Sequence, residues 1–252
     1  MPRTRSHADP LSRETAVVLS CEHAGYAVPR AFRHIFAADP SILTTHRGYD
    51  IGIASVAARM AEILGVSLIA FRTSRLVIEP NRSRHHRALF SALSRDLPAA
   101  DKTWLIEHLW KPHRQAVTAA IERHIGSGKR VLHLALHSFT PVLEGKIRTA
   151  DVGLLYDPRR HREKRFAIAL QHTLLEMTRL GIRRNYPFRG NADGLTTALR
   201  QVFAPGDYLG LEIELNQGLL VPARKRFPSL GRILSRAVRL VLSEPDRCCA
   251  TR

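Results

Sequence analysis

The chain has 252 residues, of which 44% are apolar, enough for the core of one large α/β domain, and this excludes disorder and fibrous structure. Basic residues outnumber acidic ones by 39 to 22, a formal charge of +17, but only six of them are lysine and the arginines are spread along the whole chain. Such a spread reads as compositional bias before it reads as a nucleic-acid-binding stripe. No run approaches the ~20 consecutive apolar residues that a membrane span requires, and Met1 to Arg13 lack the apolar stretch of a signal peptide. The cysteines, Cys21 and the adjacent Cys248 and Cys249, form neither a CxxC pair nor a spaced framework. The expectation is a cytoplasmic protein without a disulfide scaffold, a cysteine zinc site or a membrane segment.

Taken in chain order, short Val/Ile/Leu-rich runs alternate with stretches of helical period. Strands are predicted at Ala16–Ser20, Val66–Phe71, Val131–Leu136, Val152–Leu155, Ile182–Tyr186 and Tyr208–Leu215. Helices are predicted at Ile51–Leu64, Thr103–Ile125, Arg162–Leu180, Thr196–Val202 and Phe227–Leu242. This order describes a single α/β domain over residues 13–244, with a mixed, mostly parallel central sheet flanked by helices. Residues 1–12 and 245–252 are expected to fray. There is no internal repeat, low-complexity segment or long linker.

Open α/β sheets place ligands beyond the carboxyl ends of their strands, and the polar clusters of this chain fall at such ends. The first strand runs into Cys21-Glu22-His23-Ala24-Gly25. The third runs into His137-Ser138-Phe139-Thr140-Pro141, with His133, Ala135 and His137 on one face and leucines on the other. Imidazoles at strand ends suit a metal, whereas a lone one is more often merely hydrogen-bonded. In the last strand Glu212 and Glu214 are two apart and share a face. Two carboxylates there call for a cation, either a metal or an arginine, and one of them is a candidate general base. Asp50 stands where a helix N-cap is expected, and His46 is an available imidazole. Arg75, Asn81 and Arg82 flank an extended Leu76-Val77-Ile78 and suit a small anionic ligand. Arg84, His85, His86 and Arg87 read as solvated.

Together these segments resemble the N-formylglutamate amidohydrolase family. The match runs in order through Ser20 to Gly25, His46 with Tyr49-Asp50-Ile51-Gly52, and Ser74 to Ile78 with Asn81-Arg82. It continues through His137 to Pro141, Val152 to Asp157, Asn185-Tyr186-Pro187 with Gly190 and Asp193-Gly194, and Gly210 to Gln217. The resemblance implies a phosphorylase/hydrolase-like fold, similar to zinc carboxypeptidases and aspartoacylases, and hydrolysis of an amide carrying an acidic amino acid. It further implies one Zn2+ ion on His23, His137 and a carboxylate. The His-x-x-Glu pair of the carboxypeptidases is missing, since Ala24, Gly25 and Tyr26 follow His23, so Asp50 is the first choice for that carboxylate and Glu22 the second. Glu214 or Glu212 is implied as the catalytic glutamate, and Arg75, Asn81 and Arg82 as the holders of the substrate carboxylate.

The implied partner is a small anionic N-acyl amino acid, with no nucleic acid and no membrane. A same-fold hydrolase of another N-acyl amino acid or small peptide is the alternative, a basic nucleic-acid-binding protein the second, and a chain that keeps the fold without catalysis the third. Arg189 and Asp193, with Arg184, are expected to line the pocket.

Overall fold

The computed structural model describes residues 13–220 and 227–243, with side chains omitted at 227 and 228. The termini expected to fray, residues 1–12 and 245–252, lie outside the described residues. The described residues contain eight strands: β1 Thr15–Cys21, β2 Leu68–Ala70, β3 Arg130–Phe139, β4 Val142–Leu143, β5 Lys146–Ile147, β6 Val152–Leu155, β7 Ile182–Arg184 and β8 Tyr208–Asn216. The helices are α1 Ile53–Leu64, α2 Ala99–Leu105, α3 Lys111–Gly126, α4 His161–Met177, α5 Leu195–Val202 and α6 Phe227–Ser243.

Six strands form one sheet in the order β2-β1-β3-β8-β6-β7, and β4 and β5 form a separate hairpin. The first four of that order are mutually parallel, whereas β6 runs antiparallel to β8 and carries β7 parallel to itself. The expected mixed, mostly parallel sheet is therefore present, and β8, with both glutamates, lies at its centre. Leu132, Leu134 and Leu136 of β3 point to one face, where α1, α4 and α6 cover them in a continuous apolar core with Leu211, Ile213 and Leu215 of β8. The opposite face, with His133, His137, Glu212 and Glu214, packs at the amino-terminal end of β3 and β8 against α3 and α5 through Val117, Ile121, Leu195 and Leu199.

Several boundaries differ from the sequence expectation for identifiable reasons. Helix α1 begins at Ile53 because Gly52 takes φ 81, in the left-handed region, and acts as the N-cap. Asp50 is therefore not the cap. The predicted Thr103–Ile125 helix starts earlier, at Ala99, and contains a widened π-turn over Ile106–Trp110. That turn ends two residues before Pro112, which lacks the N–H that would continue the ladder. Strand β7 stops at Arg184 because Asn185 has a positive φ of 49. Leu76 and Val77 lie in a turn rather than an extended segment, closed by Val77 N–H donating to the Ser74 carbonyl, and Ile78 follows it. The three side chains bury themselves with Phe32, Phe36, Phe71, Leu89, Leu97 and Leu105 in a second small core. At about 1.5–3 kcal/mol for each fully buried large aliphatic side chain, this core stabilises an otherwise irregular segment that leads directly into Glu79, Asn81 and Arg82.

Candidate active site

Three strand ends and one loop bring the predicted residues together. His23 follows β1, His137 lies near the end of β3, and Asp50 stands just ahead of α1. All three are buried, and a ligand atom from each lies within 4.8 Å of the others. His137 Nδ1 is 3.1 Å from His23 Nδ1 and 3.2 Å from Asp50 Oδ2, while His23 Nδ1 is 3.3 Å from the same oxygen. The Ser138 backbone N–H donates to Asp50 Oδ2 at 3.0 Å and fixes the carboxylate.

The far nitrogens of both imidazoles meet further carboxylates. His23 Nε2 donates to Glu79 Oε1 at 2.5 Å. His137 Nε2 faces Glu22 Oε2 at 3.1 Å, close but poorly aligned for a hydrogen bond, and Glu22 Oε1 lies 3.3 Å from His113 Nε2 on α3. Glu22 thus supports His137 from behind and does not join the His23–Asp50–His137 group, which separates the two carboxylates the sequence left open. Carboxylate–histidine pairs of this kind fix the ring and its tautomer so that the other nitrogen offers a lone pair.

The fit of this group to a cation can be judged from these contacts. With the proton of His23 on Nε2, bonded to Glu79, and that of His137 on Nε2, facing Glu22, the two Nδ1 atoms 3.1 Å apart would meet lone pair to lone pair. Positive charge at that point, either a proton on one Nδ1 or a metal cation between them and Asp50, relieves that contact. The electrostatics agree. Burial works against the ionised Asp50, yet the His23 and His137 imidazoles hold it well below the usual carboxylate range. Burial likewise works against the His137 imidazolium, and Asp50 and Glu22 nevertheless raise its pKa well above the ordinary value. The three residues could hold a metal ion.

Around this group lies a cavity of about 520 Å³, whose walls include Arg75, Asn81, Arg82, Glu212 and Glu214. This volume is ordinary for a small-molecule site. The two glutamates differ in their surroundings. Glu212 Oε1 accepts from the Thr196 hydroxyl at 2.6 Å. Glu214 is 5% exposed, pairs across the sheet with His137, and has a buried Oε2 with no hydrogen-bond partner. Burial raises the Glu214 carboxyl to about 8, with Asp50 and Glu212 adding to the effect and His137 opposing it. Gly153, opposite Glu214 on β6, makes room for this face: a Cβ there would lie 1.9 Å from the Tyr186 carbonyl oxygen.

Arg75 is half-buried and engaged on one side, its Nη2 being 2.6 Å from Glu79 Oε2, while Nη1 lies 3.4 Å from Asp50 Oδ1. Asn81 Oδ1 accepts the Leu195 N–H at 2.7 Å, and Arg82 Nη1 donates to the Asp193 carbonyl. Arg189, Asp193 and His46 also line the cavity, but Arg184 does not, and faces a separate open cleft with Arg183. The sequence assigned no role at the site to Glu79, His113 or Arg148, the last of which is in the wall. An Arg75/Glu79 spacing of four was the available signal for Glu79. Nothing local pointed to His113 or Arg148, which come from a distant helix and from a loop.

A sheet with this topology and a buried histidine–aspartate–histidine group beside a buried glutamate is that of a hydrolase-like α/β protein. A sequence model of the N-formylglutamate amidohydrolase family matches residues 15–221, and the chain belongs to that family, whose name describes enzymes that act on amides. Among solved structures, a gene product of Agrobacterium tumefaciens is 26% identical with a TM-score of 0.80, each chain being covered to 94%. An N-formylglutamate amidohydrolase from Ralstonia eutropha JMP134 is 19% identical with a TM-score of 0.70, covering 92% of this chain and 94% of that one, a likeness of fold. A search of curated proteins by sequence finds no match. Among the described residues, no helix is long and apolar enough to cross a membrane.

Proposed function

We propose that the chain hydrolyses the amide of an N-acylated acidic amino acid of the N-formylglutamate type, using one zinc ion held by His23, Asp50 and His137. The observation that carries this reading is the convergence of two Nδ1 atoms and one carboxylate beneath a buried glutamate with an unpartnered oxygen. Zinc, when bound, supplies a Lewis acid that lowers the pKa of water from 15.7 toward ~7. The protein's own groups supply the rest. Glu79 and Glu22 keep the imidazoles oriented, and Ser138 N–H keeps Asp50 in place. Glu214, buried and free at Oε2, would be ionised by a cation held at the neighbouring group; in that form it accepts the proton of the attacking water and delivers it to the leaving amine nitrogen. Arg75, Asn81 and Arg82 hold the substrate carboxylate and so align the scissile carbonyl.

The test is purification followed by metal analysis and assay with N-formyl-L-glutamate, before and after chelation and re-addition of zinc. Expected are about one zinc per chain, loss of hydrolysis on chelation and its return with metal. Replacing His137 with Ala is expected to cost about 10³-fold or more in kcat/KM and to abolish zinc retention. An absence of amide hydrolysis with zinc, cobalt or manganese present would refute the proposal.

A further inference from the structure

We infer that Arg148 is the specificity-determining residue that holds the side-chain carboxylate of the substrate. This inference rests on the N-acyl acidic amino acid reading and deepens it. An acidic amino acid acylated on its nitrogen carries two carboxylates, so its recognition calls for two cations. Arg75 already has a carboxylate partner in Glu79 at 2.6 Å. Arg82 spends one Nη on the Asp193 carbonyl and, among the described residues, forms no ion pair.

Arg148 is the other half-buried arginine of the cavity wall that, among the described residues, has no carboxylate within ion-pair range. Its guanidinium instead lies over two aromatic rings, 5.8 Å from the centroid of Phe139 and 5.2 Å from that of Phe188. Its one side-chain hydrogen bond, to the Thr140 hydroxyl, is long at 3.4 Å. Contact with ring faces leaves the in-plane N–H donors available, the geometry in which arginine takes a carboxylate bidentately.

The position of Arg148 is fixed from both central strands. Phe139 closes β3 two residues beyond His137. The Arg148 carbonyl accepts from Asn216 Nδ2 at 3.4 Å, and Asn216 closes β8 two residues beyond Glu214. The Arg148 N–H donates to the Pro141 carbonyl at 2.8 Å, closing the base of the β4–β5 hairpin. The guanidinium is therefore set by the same strand ends that set the metal-ligand group and the glutamate, as a residue that measures side-chain length and charge must be.

The test compares wild type, Arg148→Gln and Arg148→Lys on N-formyl-L-glutamate and N-formyl-L-glutamine. Calorimetric titration with L-glutamate and L-glutamine reads the same contact without turnover, and thermal melts report the fold. Loss of one charged hydrogen-bonding partner is expected to lower the glutamate-over-glutamine ratio in kcat/KM by roughly 10- to 100-fold in Arg148→Gln, mainly through KM, with partial recovery in Arg148→Lys. A merely structural role would lower both substrates alike. An unchanged ratio in a folded Arg148→Gln protein overturns the inference, as does equal binding of the two amino acids by wild type. If wild type binds glutamate selectively through Arg148 yet hydrolyses neither substrate, the proposed reaction fails while the role of Arg148 stands.

Discussion

Glu212 and Glu214 are separated by one residue and share a face of the same strand, yet their chemistry diverges because of what reaches them from elsewhere. Thr196 on α5 occupies Glu212, whereas Glu214 keeps one oxygen free in a desolvated setting. Replacing Glu214 with Gln is expected to lower kcat by about 10²- to 10⁴-fold while zinc content and KM change little; a Glu212→Gln protein is expected to lose far less. Steady-state kinetics on both variants check the assignment, and equal losses would remove it. The two-residue spacing was legible in the sequence because strand parity alone puts both carboxylates on one side. Which of them is free was not legible, because that depends on a hydroxyl sixteen positions away. The same holds for Glu22, the second choice for the metal carboxylate after Asp50, which faces His137 and His113.

Elements were legible in the sequence wherever a period or a strand face was long enough to read, and this covers β1, β3, β6, β8 and the principal helices. Misreadings gathered where a single residue overrides the pattern, as with Gly52, Pro112 and Asn185. One buried element-level contact was read only as a shared face. His133 of β3 is bracketed by the Ser20 hydroxyl of β1 at 2.7 Å and the Tyr208 hydroxyl of β8 at 2.8 Å, tying three adjacent strands. Burial lowers the pKa of His133 to about 4, with Arg200 pushing the same way and Glu22 opposing. In the unfolded chain this histidine titrates near ~6.5. Stability from its neutral form is therefore fully present above pH ~6.5 and is lost as pH falls toward the folded value of about 4, by about 3 kcal/mol in all. Urea midpoints measured from pH 7 to pH 4 are expected to fall less steeply in a His133→Gln protein than in wild type. Parallel curves would show that His133 does not carry this part of the acid sensitivity.

For the whole molecule, a net charge of +17 on a dispersed set of arginines has two parts. A few of these residues line one cavity, and many others, such as Arg84 and Arg87, stand in solvent. The solvent-facing part is expected to act at long range. The kcat/KM for a dianionic N-acyl amino acid should fall several-fold between low ionic strength and about 0.5 M salt, as the Debye length contracts to a few Å. A neutral N-acyl amide should respond much less, and an identical response would mean that the surface charge has no part in substrate encounter. Composition and pattern alone supported the fold class at this scale. Strand order did not emerge from them, because it depends on which crossovers pack, and neither did the small second core around Leu76, Val77 and Ile78, whose apolar residues come from turns and so show no period.

The reversal of β6 has an architectural consequence. Phe139 at the end of β3 and Val152 at the start of β6 flank neighbouring positions, Asn216 and Leu215, at the carboxyl end of β8. The chain between them stays on one rim of the sheet and needs no helix to carry it back. Residues 140–149, with the hairpin and Arg148, thus form a rim over the cavity, anchored where the Ala150 and Asp151 carbonyls accept from Asn216 at 2.9 Å each. Changes at the exposed tip, residues 142–147, leave every layer of the packed interior intact, so the rim over the cavity can vary while the buried histidine–aspartate–histidine group stays as it is.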